Sequence, residues 1–268
     1  MGRRMRFFLR FCVFLFVLGI FGALAAVGVG IYGLWHYGRD LPDYKQLADY
    51  EPPTVTRLHA GDGRLIAEYA KERRVFVPVA AMPRRVKQAF IAAEDQNFYS
   101  HYGVDFVALA RAVVTNVANY AQGRRPVGAS TITQQVAKNF LLTNEVSIER
   151  KIKEAILAFR IERALTKDRI LELYLNEIYL GYGSYGVAAA ALNYFNKSMD
   201  ELTTAEVAYL AALPKAPNNY HPLRKRKAAT DRRNWVVGRM LEEGFIKPDT
   251  ARIARDAPLA VVSRDATQ

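Results

Sequence analysis

The sequence contains a single cysteine, Cys12, which excludes an intrachain disulfide and any cysteine-built zinc site. It also contains no Lys, Arg, Asp or Glu between residues 11 and 38. From Phe11 to Trp35 nearly every residue is apolar or glycine, a run longer than the roughly 20 residues a helix needs to cross a bilayer. The competing reading is a cleaved signal peptide with Ala23-Leu24-Ala25 as its processing site. A signal's apolar region spans about 7 to 15 residues, and this run continues well past Ala25. An uncleaved anchor is therefore expected over residues 11–35. Arg3, Arg4, Arg6 and Arg10 precede it, so residues 1–10 are expected in the cytoplasm and the rest outside a cytoplasmic (inner) membrane, crossed once.

Acidic residues are in short supply: 26 Asp and Glu face 38 Lys and Arg, a net charge of +12 over 268 residues. The densest basic stretch comprises Arg224, Lys225, Arg226, Lys227, Arg232 and Arg233. Basic clusters can bind nucleic acid. A domain held outside the membrane meets anionic headgroups and pyrophosphates instead, so a membrane partner is expected and nucleic acid is not. A solvated helix face is the plainer account of Lys225 and Lys227 individually. Internal repeats and low-complexity segments are absent, and the length suits one sizeable core with small appendages.

Prolines and glycines divide the remainder. Residues 36–53 read as a linker broken by Pro42, Pro52 and Pro53. Thr54–Leu58, a Gly61-Asp62-Gly63 turn and Leu65–Tyr69 carry a hairpin signature, and Arg74–Val79 suits a third strand, giving a small β region over 54–80. From Pro83 the apolar period becomes helical. Helices are expected at Val104–Tyr120 and at about 131–142, 147–164, 167–176, 184–195, 203–212 and 226–243, with ends uncertain by about two to four residues. The apolar stripe of the 104–120 helix suits either a core face or insertion into a membrane surface. The main domain is expected to span 81–246. Residues 247–268 are expected to form a tail at the start of a truncated next domain.

Three blocks carry chemistry. In the first, Val86, Phe90 and Glu94 recur every four residues, which aims a carboxylate along a core-facing helix row. Burial there would raise its pKa and ready it for proton transfer near neutral pH. In the second, Ser130, Gln134 and Lys138 share a helix face, with Thr131, Gln135 and Asn139 beside them; Ser130 suits the N-cap and still faces a ligand. The third, Arg150-Lys151-Ile152-Lys153-Glu154, sets cations within a turn of a second carboxylate. Glu154 is equally a helix-surface partner of Arg150, worth only about 0.2–0.5 kcal/mol. Two acids, clustered cations and helix-borne amides suggest glycosyl chemistry with an anionic leaving group.

These blocks resemble the peptidoglycan glycosyltransferase (family 51) domain of class A penicillin-binding proteins, of the 1A type. The matches are Glu94-Asp95 with Phe98, His101 and Gly103; Gly128 to Asn139; Arg150-Lys151 with Glu154; Lys167 with Ile170-Leu171-Glu172 and Tyr174-Leu175-Asn176; and Arg232-Arg233 ahead of Val236-Val237. They stand in family order over roughly residues 51 to 246. The resemblance implies a mainly α, lysozyme-like fold behind a transmembrane helix, and polymerisation of lipid II into glycan strands. It makes Glu94 the base that takes the acceptor 4-hydroxyl proton and Glu154 the second catalytic carboxylate. It gives Lys138, Arg150 and Lys151 the departing undecaprenyl pyrophosphate. Asp95, Ser130, Thr131, Gln134, Gln135 and Asn139 complete the substrate contacts it implies. Phe98, His101, Gly103 and Asn176 are expected to support the site: Phe98 by packing, His101 by orienting the turn after Glu94, Asn176 by tying helices together, as Glu172 would.

No cofactor is expected, although a magnesium ion at the donor pyrophosphate is compatible with the chemistry. The expected partners are lipid II, the growing strand, the membrane and a cell-wall synthesis complex. The donor is an α-linked phosphate and the product β-linked, so a single inverting displacement with one base suffices, without the leaving-group acid that glycosidases need. Ser-x-x-Lys, Ser-x-Asn and Lys-Thr-Gly, the motifs of a transpeptidase, are absent. The 1A character favours a piece of a bifunctional protein over a natural short form. Two other classes fit the residues less well: a lytic enzyme cutting finished glycan, which the cations beside the acids disfavour, and a membrane-anchored scaffold, which would be indifferent to Glu94.

Overall fold

The computed structural model describes residues 2–262, apart from 49, 51–55, 60–64, 70–74, 125, 144 and 146. The described residues are mainly helical. Helix α1 (Arg3–Gly38) contains the apolar run, and its described side chains are almost all exposed. From Leu9 to Gly38 it is long and apolar enough to cross a membrane. Strands β1 (Thr56–His59) and β2 (Leu65–Tyr69) pair antiparallel, with Thr56 opposite Tyr69 and Leu58 opposite Ala67. The expected turn between them and the start of the expected third strand lie outside the described residues. Val75–Pro78 is not a strand, and Val79–Ala81 is a single 3-10 turn.

The helical body comprises α2 (Arg84–Glu94), α3 (Phe106–Ala121), α4 (Ile132–Leu141), α5 (Ile148–Ala164), α6 (Lys167–Glu177), α7 (Val187–Phe195), α8 (Thr204–Ala212), α9 (Arg226–Glu242) and α10 (Pro248–Asp256). α8 packs on α9 and both pack on α2, while α4 lies on α5 and α6. The starts follow side-chain capping. Thr131 and Thr203 form capping boxes with Gln134 and Glu206, and Asp105, Ser147 and Thr166 cap α3, α5 and α6. Val86 and Phe90 are fully buried, as the four-residue row predicts.

One expectation needs correction: the cap of α4 is Thr131, not Ser130, which lies outside the helix. In the linker segment Leu47 is buried, and Arg169 donates to the carbonyls of Leu47, Ala48 and Tyr50 at 3.4, 3.1 and 2.9 Å. The expected tail begins with α10, which buries Ala251 and Ala254 against α8 and α9.

α3 decides between its two readings. Ala112 is its one buried residue, whereas Phe106, Val107, Leu109, Val113, Val114, Val117 and Tyr120 are exposed; its stripe is not core. Phe106 stacks on Phe159 of α5, and the next residue, Arg160, donates to Gly38 at the end of α1 at 2.9 Å. The two exposed apolar helices therefore meet α5 side by side.

Candidate active site

Glu94 ends α2 at the junction of two adjoining lobes of about 370 Å³ each. Both lobes are lined by Ala93, Glu94, Val127, Gly128, Ser130 and Trp235. The carboxylate accepts one side-chain hydrogen bond, from Gln135 Nε2 at 2.8 Å. Desolvation pushes its pKa up, against the pull of the Gln135 amide and the charges of Arg232 and Lys215. A carboxyl held in this way is suited to accept a proton.

The neighbouring acid has a different job. Asp95 is buried and accepts from the Ile132 backbone N–H at 2.9 Å, one end of a link from α2 to the start of α4. His101 Nδ1 accepts from the Gly103 N–H at 3.1 Å, so its Nε2 carries the proton and donates to both Asp95 oxygens at 3.0 Å. Asp95 was expected among the substrate contacts. It lines the first lobe while its oxygens hold the start of α4, and His101, without a partner visible in sequence, finds one there. Gly103 has φ +89°, and a Cβ there would lie 2.7 Å from the Ala158 backbone. Only glycine lets this turn rest on α5 and offer its carbonyl to Thr131 Oγ1 at 2.6 Å. Phe98 is buried beneath the Lys167 ammonium, 4.5 Å from the ring centroid, which fits packing.

The second lobe gathers Gln134, Gln135, Lys138, Lys151, Glu154, Lys215 and Arg232. Glu154 is 1% exposed and gripped by Arg150 and by Lys151, whose ammonium is 2.5 Å from Oε2. Lys151 also donates to Ser130 Oγ at 2.9 Å, spanning from α5 to the loop before α4. Desolvation lowers the pKa of Lys138, while Glu154 holds it charged. Among the described residues no group of three or more His, Cys, Asp or Glu side chains would hold a metal. The lobe also holds the cations of Lys138, Lys151, Lys215 and Arg232.

Other expected residues fall elsewhere. Asn139 is exposed and lines neither lobe. Arg150 sits behind Glu154, facing a separate groove with Asp40 and Lys153. Thr131 and Gln134 do line the first and second lobes respectively, and are tied to each other in the capping box. Asn176 joins α6 not to a helix but to extended chain: it exchanges hydrogen bonds with Val77 at 2.9 Å, and Glu172 accepts from Val79 N–H at 2.7 Å.

Among the lining residues not anticipated as site residues are Lys215, Arg232 and Trp235. Lys215 lies in a connection whose prolines conceal its direction. Arg232 was legible in helix phase, because Arg232, Trp235 and Arg239 share one face of α9 while Arg233, Val237 and Met240 share the buried one.

The sequence profile of the family described as Transglycosylase matches residues 62–241. The chain belongs to the transglycosylase family. It is 57% identical over 251 residues to Penicillin-binding protein 1A of Rickettsia felis, covering 93% of this chain and 32% of that protein. Its identity to the Escherichia coli protein of the same name is 48% over 239 residues, covering 89% and 28%. The chain thus spans about a third of the length of the curated relatives it matches. A crystal structure of Penicillin-Binding Protein 1A from Haemophilus influenzae aligns with a TM-score of 0.44 at 30% identity, covering 80% of this chain and 22% of that one. In this transglycosylase, four of the five sequence blocks that carried the resemblance contribute residues to the lobes, and the fourth in chain order lies on α6, which packs on α4.

Proposed function

We propose that this transglycosylase is an inverting peptidoglycan glycosyltransferase that polymerises lipid II. The observation that carries the reading is the position of Glu94, a desolvated carboxylate where the first lobe meets the cation-rich second lobe. The second lobe takes the donor, with its pyrophosphate between Lys138 and Lys151. The first takes the acceptor sugar. The acceptor 4-oxygen attacks C1 of the donor as Glu94 takes its proton. The C1–oxygen bond to the pyrophosphate breaks, and the electron pair leaves with undecaprenyl pyrophosphate onto the cations. Charge accumulates on that group in the transition state, so cations fixed in advance lower the barrier. Glu154 acts through Lys151, fixing where its ammonium sits.

Labelled lipid II incubated with the detergent-solubilised chain tests the reading. Glycan strands of increasing length on a gel support it. No polymer, together with soluble fragments released from purified sacculi, overturns it in favour of a lytic enzyme.

The membrane follows the same logic, because the substrate's isoprenoid holds its pyrophosphate at a bilayer surface. α1 anchors the chain, with residues 1–10 in the cytoplasm and the catalytic domain outside, and the exposed stripe of α3 enters the same surface. Deleting residues 1–35 leaves a domain that still floats with anionic vesicles at low salt. Recovery wholly in the soluble fraction would leave α1 as the sole membrane contact.

A further inference from the structure

The chemistry above gives the α9 charge that faces the cleft no task of its own. Arg232 and Arg233 are adjacent, yet their situations are opposite. Arg233 is buried and spent on structure, donating to the Asn234 side chain and to the carbonyls of Ala257 at 2.6 Å and Arg255 at 2.9 Å. Arg232 lines the donor lobe and forms no ion pair among the described residues. Its guanidinium carbon lies 3.8 Å from the centroid of the Trp235 ring, and its Nε is shut from solvent without a hydrogen-bond partner. A flat cation stacked on an indole is held in place without a carboxylate to neutralise it.

The other groups around Glu94 cannot supply that charge as dependably. Asp95 repels it, Tyr174 of α6 is neutral and buried, and Lys138 answers first to Glu154. Lys215 is desolvated and its pKa lowered, with Arg232 itself contributing. Arginine stays protonated at any working pH. The arrangement therefore sets a permanent cation in the same lobe as a carboxylate whose ionised form burial disfavours.

We propose that Arg232, braced on Trp235, is a positioning residue for catalysis: its fixed charge keeps the Glu94 base ionised, and without it activity retreats to more alkaline pH. The inference rests on the reading of Glu94 as base.

The test is the pH profile of kcat/KM for the full chain in detergent, for wild type, Arg232→Gln and Arg232→Lys. A base whose proton is held more tightly loses activity selectively at low pH. Arg232→Gln is expected to lose at least about threefold more at about pH 6 than at about pH 8.5. Arg232→Lys should restore the acidic limb even where its plateau rate is lower. A loss of equal size across the pH range would overturn the proposal and leave Arg232 a structural or anion-binding group. Carbon-13 titration of Glu94, assigned by its absence in Glu94→Gln, reads the same shift without turnover; an unmoved Glu94 titration in Arg232→Gln also overturns it. Should Arg232→Gln fail to fold, Trp235→Leu removes the brace and is expected to shift the limb in the same direction. Failure of the base reading is separable: Glu94→Gln would then keep near-normal polymerisation, whatever Arg232→Gln does.

Discussion

Glu94 and Glu154 are the same residue type on two walls of one cleft, and they have been given opposite chemistry. Glu154 is buried between two cations, with both oxygens occupied. Among the described residues Glu94 receives one side-chain amide and pairs with no cation, and burial raises its pKa. A carboxylate clamped by cations is a fixed anion that positions what grips it. A carboxylate left short of partners in a desolvated place is a proton acceptor. Side-chain identity does not separate the two; the number and sign of their neighbours does.

Glu94→Gln breaks the comparison most severely, because it keeps shape and hydrogen bonding while removing proton affinity. Polymerisation of lipid II is expected to fall by about 10³-fold, within the span of lost general-base catalysis. Near-normal turnover by a folded variant would remove Glu94 from the mechanism. Glu154→Gln comes next. It leaves Arg150 and Lys151 without their anion and frees the Lys151 ammonium to move, so a loss of roughly ten- to hundredfold is expected. The broken pair should also cost about 2 kcal/mol of stability, less than a fully buried pair because Lys151 is half exposed. Urea unfolding alongside the rate assay checks both. A Glu154→Gln variant with a greater rate loss than Glu94→Gln would reverse the roles assigned here.

Most of this contrast was legible before any coordinates. The row Val86, Phe90, Glu94 places one acid on a core-facing stripe, and the i,i+4 spacing of Arg150 and Glu154 places the other beside a cation. Helix periodicity put α4, α5, α6, α8 and α9 within a few residues of their observed ends. What stayed hidden depends on long-range packing. Asp95 stands beside Glu94 in sequence, and nothing local reveals that its oxygens meet an N–H 37 residues away. The stripe on α3 is as apolar as that of a core helix, and among the described residues no helix is laid across it. Lys215 enters the cleft from a proline-rich connection, where periodicity offers no phase to read.

The smallest expected effect sharpens the comparison through stability instead of rate. Glu94 has a raised pKa in the folded protein, so its ionised form is less welcome there than in the unfolded chain. Below the unfolded value of about 4.3 the group is protonated in both states and has no net effect on stability. As pH rises, the unfolded chain releases its proton first and folding loses ground, until the folded carboxyl ionises as well and the penalty levels off. Glutamine never ionises and escapes this penalty. Glu94→Gln should therefore melt a few degrees above wild type near neutral pH, given that about 1 kcal/mol shifts the Tm of a domain of 150–250 residues by roughly 2–4 °C. The gap should close as pH falls toward 4. Glu154→Gln should show the reverse sign, melting below wild type at neutral pH, because it breaks a satisfied pair. Thermal unfolding of both variants across that pH range checks the contrast; a Glu94→Gln variant less stable than wild type at neutral pH would mean that the ionised carboxylate is welcome where it sits.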